Sequence, residues 1–194
     1  MSKQQIIIDT ALRLFVERGI QSTSMSLLAK EANIAAGSIY NYFESKKELI
    51  NELFIYAKSL ELDYIAKHYD KSKPIKQRFR HLYGCSIDYM LGNQLPFKFF
   101  ENYHFSPIIT DESHEQLKEL FTDLIEFYED AKEMGMVKPL DPKMLHLQAY
   151  GGIARMIHWI IRHNHPFHQS DTEQILDIAW DAIAMPSESE SFKG

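Results

Sequence analysis

Ser24-Met-Ser-Leu-Leu-Ala-Lys-Glu-Ala-Asn-Ile-Ala-Ala-Gly-Ser-Ile-Tyr-Asn-Tyr-Phe43 reads as two short helices with a tight break between them. Ser24 is placed to cap the first, its hydroxyl accepting from an amide of the opening turn. Leu28, Ala29 and Ala32 recur at helical spacing and are small enough to let another helix approach closely. Asn33 stands where that helix must end, and asparagine tolerates the left-handed backbone of a helix C-terminus. Ile34 plugs the turn. The spacing predicts a second helix over Ala35–Asn41. Ile39 and Phe43, four apart, face inward, which leaves Ser38, Tyr40, Asn41 and Tyr42 pointing out. This is a helix-turn-helix layout, and its outward residues are of the kind that contact a nucleic-acid backbone. A surface helical hairpin has the same pattern.

The flanks separate the two readings. Ile8-x-x-Ala11-Leu12-x-x-Phe15-x-x-x-Gly19 precedes the stretch, and Tyr40-x-Tyr42-Phe43-x-Ser45-Lys46-x-Glu48-Leu49 runs out of it. Together they resemble the N-terminal domain of the TetR family of transcriptional repressors over roughly residues 6–54; beyond that the likeness is of helix length and order. The chain departs from the family pattern in two ways. Asn33 replaces a usual glycine, and Ala35 and Ala36 stand where a polar or basic residue is usual. Those two positions enter the major groove first, so direct base readout is expected to be sparse. Alanine contacts a thymine methyl, and Asn41 suits an adenine edge.

The charge distribution agrees with a DNA-binding head. The 194-residue chain carries a net −6, which argues against a protein that coats nucleic acid indiscriminately. Residues 1–50 hold six Lys or Arg against five Asp or Glu, and the remainder fifteen against twenty-two, so the acidity lies in the body. No apolar run approaches a membrane span, and no charged-then-apolar leader opens the sequence. Cys85 is the only cysteine, which excludes a disulfide framework and suits a reducing cytoplasm. The expected location is cytoplasmic, with no membrane partner.

Helical signals continue to the end of the chain. A first helix over Ser2–Arg18 is expected to bury Ile8, Ala11, Leu12 and Phe15 and to stop at Gly19. Ser45-Lys-Lys-Glu48 is a capping box opening a long fourth helix with Leu49, Leu53, Ala57 and Leu60 in one stripe. Pro74 opens a fifth, Pro96–Phe105 forms a short aromatic sixth, and Asp111 or Ser113 caps a seventh that ends at Gly135. The eighth runs from Asp141-Pro142 to about His163, and Asp171 caps the ninth. The Ser/Glu-rich tail after Pro186 is expected to fray. Nothing reads as a strand. The fold class is all-α with about nine helices: a helix-turn-helix domain over residues 1–48, joined by a linking helix to an effector-binding and dimerisation domain over residues 49–194.

The candidate chemistry is thin outside the head. His163, His165 and His168 surround a helix end with a proline between them, which reads as a solvated loop, and no metal is assigned. His104 and His158 read as core histidines. There is no phosphate loop or nucleophile elbow, and Cys85 has no neighbouring base, so no catalytic residue and no cofactor is assigned. Phe100, Tyr103, His104, Phe121, Tyr128 and Tyr150 read singly as core; as a group they also fit an apolar ligand pocket with a few polar points. The family resemblance favours the pocket. Gly151-Gly152 inside a helix costs about 1 kcal/mol each relative to alanine, which implies close helix contact within the body or across a dimer. The family dimerises through its last two long helices, which places Ile153, Ile157, Ile160, Ile161, Ile175, Trp180 and Ile183 at the interface.

The resemblance therefore implies a homodimeric repressor that binds double-stranded operator DNA with an inverted repeat and releases it on binding a small, mostly apolar effector. Ser24, Ala35, Ala36, Ser38, Tyr40, Asn41, Tyr42 and Lys46 are the expected DNA-contacting residues. The competing readings are an all-α small-molecule-binding protein or enzyme without DNA function, and an architectural DNA-binding protein with little sequence preference.

Overall fold

A computed structural model describes residues 2–67 and 69–186. Among them are ten helices: α1 (Lys3–Arg18), α2 (Met25–Glu31), α3 (Ala36–Ile39), α4 (Lys46–Ala66), α5 (Ile75–Gly92), α6 (Gln94–Tyr103), α7 (Asp111–Glu119), α8 (Thr122–Glu133), α9 (Pro142–His163) and α10 (Gln169–Ile183). The described residues contain no strand, only an isolated antiparallel bridge between Val137 and Ala184. The Ser/Glu-rich tail lies outside the described residues.

The helices group into two compact units. One is Met1–Leu62 with Asn93–Leu120, and the other is Asp63–Gly92 with the chain from Phe121 onward. In the first, Ser2 caps α1 by accepting from the Gln5 amide at 3.1 Å, and Gly19 ends it at φ 80°, its N–H bonded to the Phe15 carbonyl. The buried stripe of α1 is Ile7, Ala11, Leu12, Leu14 and Phe15. Ile8, expected inside, is half-buried, because Ile6-Ile7-Ile8 offers three equivalent candidates and packing selects one. On α4, Leu49, Ile50, Leu53, Phe54 and Ala57 are buried. Phe54 stacks on Phe100 of α6 at 4.9 Å between centroids. Each such ring contributes about 1.5–3 kcal/mol of transfer free energy.

Several boundaries differ from expectation. α6 begins two residues earlier, at Gln94, because Pro96 sits in the first turn, where a missing N–H leaves no hydrogen bond unmade. Phe105 consequently falls beyond the helix and is 89% exposed. The seventh helix is two helices, α7 and α8, interrupted at Leu120-Phe121; the apolar periodicity runs straight through this break and conceals it. Thr110, not Asp111 or Ser113, caps α7, and Asp171 is the third residue of α10, accepting from the His168 amide at 2.7 Å.

The second unit is centred on Phe79, Tyr83, Phe127, Tyr128, Leu145, Ile153, Ile157, Leu176 and Trp180, all buried. Arg78, 4% exposed, lies over the Tyr69 and Phe127 rings and pairs with Asp130 at 2.6 Å. Among the described residues no helix is long and apolar enough to cross a membrane.

Candidate nucleic-acid interface

The turn between α2 and α3 is fixed by the backbone. Asn33 adopts φ 54°, its N–H bonds the Lys30 carbonyl at 3.1 Å, and the Ile34 N–H bonds the Ala29 carbonyl at 3.0 Å. This pair of bonds is the Schellman closure, and Asn33 serves where glycine is the commoner choice. Ser24 caps α2 by accepting from the Leu27 amide at 3.1 Å. α3 is a single turn, shorter than the expected Ala35–Asn41, and continues as turns through the Tyr42 and Phe43 amides to the Ile39 carbonyl. Ile39 and Phe43 are anchored in the core. With those two fixed, Ala35, Gly37, Tyr40, Asn41 and Tyr42 form an exposed ridge, with Ser38 half-buried beside it. The side chain of Ala36 lies outside the described residues. A Cβ added at Gly37 would meet nothing within 4 Å.

Lys46 is held differently from the others. Its ammonium donates to the Ile20 carbonyl, and partial burial lowers its pKa from the usual lysine range. The N–H of the same residue, Ile20, donates at 3.1 Å to the Tyr103 hydroxyl, which itself donates to the Phe15 carbonyl at 3.1 Å. The residue that leads from α1 toward α2 is thus gripped on its N–H by α6 and on its carbonyl by the first residue of α4. Lys47, adjacent and exposed, is the cation placed to reach outward. Nothing in the Lys46-Lys47 pair distinguishes the two in the sequence.

The serine half of the expected capping box of α4 forms: Ser45 accepts from the Glu48 amide at 3.1 Å, while the Glu48 carboxylate reaches one residue further back than expected and accepts from the Glu44 amide. One turn on, the Asn51 carboxamide donates to the Lys47 and Ile108 carbonyls at 2.8 and 3.1 Å. Its oxygen accepts from the Thr110 amide and the Ser113 hydroxyl, each at 2.8 Å. The approach to α7 is thereby fastened to the start of α4.

A helix-turn-helix with this ridge is matched by a family model for bacterial regulatory proteins of the tetR family over residues 7–53, and a tetracyclin repressor-like C-terminal domain model matches residues 56–185. The chain belongs to the TetR family. Among its relatives, an HTH-type transcriptional regulator of Haemophilus influenzae is 30% identical over 141 residues, covering 73% of this chain and 74% of that protein. A probable acrEF/envCD operon repressor of Escherichia coli is 34% identical over 68 residues, covering 35% and 30%. A solved TetR-family regulator from Shewanella sp. PV-4 superposes with a TM-score of 0.88 over 96% of this chain and 100% of that one, at 24% identity. As a TetR-family member, the protein is a transcriptional regulator.

The aromatic residues singled out in this TetR chain divide between the two units. In the first, Phe100 is buried against Phe54, and Lys58 lies 5.0 Å above its ring, paired at 2.8 Å with Glu61 in the interior. His104 is beside Phe100; burial, with Lys58 and His114 nearby, lowers its pKa to about 4. Tyr103 is committed to Phe15 and Ile20 as described. In the second unit, the Tyr83 and Tyr128 hydroxyls meet at 2.5 Å and Tyr83 reaches His146 Nδ1 at 2.9 Å, with Phe121 and Tyr150 flanking the imidazole. Burial raises the Tyr128 pKa. The expected pocket residues do not include Tyr83 or His146, because the contacts that bring them together join α5 to α8 and α9.

Of the residues expected at a dimer contact, Ile153, Ile157, Ile175, Trp180 and Ile183 are buried within the chain's own second unit, while Ile160 and Ile161 are half-buried. A long helix carrying isoleucine on several faces does not reveal which face is spent on its own core. The exposed apolar residues of the same helices are Trp159, 50% exposed, and Ile178, 60% exposed. Gly151 and Gly152 are exposed, and added Cβ atoms there meet nothing within 4 Å in the chain. An apolar groove of about 500 Å³, lined by Met156, Trp159, Ile160, Phe167 and Ile175 among others, lies alongside. His163, His165 and His168 do not converge: His163 bonds the Trp159 carbonyl and His165 lies against the Trp159 ring.

Proposed function

We propose that this regulator is a homodimeric repressor that recognises an inverted-repeat operator and leaves it when a small, mostly apolar effector binds. The observation that carries the DNA-binding reading is the ridge anchored by Ile39 and Phe43. Ala35, Ala36, Ser38 and Asn41 enter the major groove; Ser24, Tyr40, Tyr42 and the exposed Lys47 take phosphates. Lys46 serves the interface by holding the Ile20 peptide.

The dimer reading is supported by Trp159 and Ile178, exposed on α9 and α10, by the groove beside them, and by two exposed mid-helix glycines that allow close backbone approach. A second copy facing the same surface gives a closed two-fold pair, which matches a palindromic site. For the effector, the polar points in aromatic surroundings are the candidates: His104 beside Phe100 with Tyr103, and Tyr128 with Phe121 and Tyr150. The effector acts by binding the non-DNA-binding geometry more tightly, since equal affinity shifts nothing. The protein works in the cytoplasm.

The test is selection of bound duplexes from a random pool at fixed salt, repeated with a panel of aromatic and acyl compounds. An enriched inverted repeat whose yield falls with one compound is the expected result. An enriched direct repeat refutes the two-fold dimer, and an enriched site indifferent to every compound refutes effector release.

A further inference from the structure

The ridge that faces the groove has an unusual chemistry for a reader of bases. Between Lys30 and Lys46 there is no lysine or arginine, so α3 and its continuation lack the cationic side chains that most often grip the O6 and N7 of guanine. Of the flanking cations, Lys46 is engaged with the Ile20 carbonyl. What faces outward instead is the methyl group of exposed Ala35, the bare backbone of Gly37 with open space before it, and the exposed carboxamide of Asn41. Tyr40 and Tyr42, 54% and 40% exposed, flank that carboxamide with hydroxyls.

Two of these groups match the A·T pair best. A methyl group has an apolar counterpart in the major groove in the C5-methyl of thymine, and a carboxamide forms its two-pronged pair with adenine N6 and N7. Resting on the proposed operator binding, we infer that each half-site is read at A·T pairs, with Ala35 packed on a thymine methyl and Asn41 paired to an adenine Hoogsteen edge. α3 carries no lysine or arginine for the two-pronged contact to guanine O6 and N7. Exposed Ala35 and Gly37, with no bulk beyond a methyl, let the backbone approach the base edges closely enough for a methyl–methyl contact.

The prediction is tested on the duplex recovered by selection. Specific binding is first measured against a scrambled duplex at moderate salt; equal affinity for both would refute the operator reading itself. On a specific duplex, thymines are then replaced singly by uracil, which removes only the methyl, and adenines by 7-deazaadenine, which removes only N7. A single uracil in one half-site is expected to weaken binding about fourfold, the equivalent of one buried methyl group. The Ala35→Gly variant, altered at an exposed position, is expected to bind the uracil and thymine duplexes equally. One 7-deazaadenine per half-site is expected to weaken binding about tenfold, an effect absent in Asn41→Ala. If the duplex is bound specifically but no uracil substitution changes affinity, or if Ala35→Gly retains the discrimination, the methyl readout is refuted while the operator reading stands. If 7-deazaadenine is tolerated everywhere, or still weakens Asn41→Ala, the adenine contact is refuted in the same way.

Discussion

Replacing Tyr103 with phenylalanine removes one oxygen atom and leaves the ring packed against Phe99, at 5.1 Å between centroids. Two bonds disappear. The Phe15 carbonyl keeps the Gly19 N–H at 3.1 Å and so remains satisfied. The Ile20 N–H loses its acceptor, and Ile20 is only 7% exposed. An unsatisfied buried amide costs about 1–3 kcal/mol, and the lost bond to Phe15, with a second donor in place, adds less than about 1 kcal/mol. A total near 2 kcal/mol lowers the melting temperature of a chain this size by about 4–8 °C. The effect has an address as well as a size. Amide exchange at Ile20 should accelerate roughly thirtyfold, while amides in the middle of α9 should change only as far as global stability does. Thermal unfolding and residue-resolved hydrogen exchange measure both. A Tyr103→Phe protein that melts within about 1 °C of the parent and keeps its Ile20 protection would refute the assignment of this hydroxyl as a support for the DNA-binding head.

Lys47→Ala should reduce the salt dependence of duplex binding by about one ion contact, whereas Lys46→Ala should weaken binding with the slope unchanged; a titration of affinity against salt separates them, and a slope change in Lys46→Ala alone would reverse the roles. The depressed pKa of His104, about 4 against the ordinary 6.5, means that the unfolded chain takes up its proton first. Its contribution to stability is complete above pH 6.5 and is lost as pH falls from 6.5 through 4, so His104→Gln should flatten denaturation midpoints over that window; a parallel pH profile would refute this. Trp159→Glu or Ile178→Glu should yield a folded monomer by sedimentation at micromolar concentration, while Ile157→Glu, which buries a carboxylate in the chain's own core, should fail to fold.

The head was legible because its signals are local. Ser24, Asn33, Gly19 and Ser45 each act within one turn of the helix they end or begin, and the structure has them in those roles. Choices among equivalent neighbours were not legible: Ile7 over Ile8 in the core, Lys46 over Lys47 on the Ile20 carbonyl. Those are settled by packing against helices distant in sequence. The same limit applies to Tyr103, whose aromatic run suggested a pocket wall; its partners lie more than eighty residues earlier. In α9, period alone identified an apolar helix without ranking its faces: Ile153 and Ile157 turn into the chain's own core, while Trp159 is exposed.

Asn51 has a consequence for mutational tolerance. Its carboxamide nitrogen serves two carbonyls and its oxygen accepts from the Thr110 amide and the Ser113 hydroxyl, so both ends of the side chain are committed. Aspartate offers the acceptor but no donors and would set a charge against two carbonyl oxygens; leucine has the shape and neither function; glutamine carries the group one methylene too far. In a saturation scan scored by regulator abundance, position 51 should behave as a column that admits a single amino acid, although half-buried surface positions commonly accept many. Half-exposed residues elsewhere on α4, such as Ile55, should show the ordinary breadth.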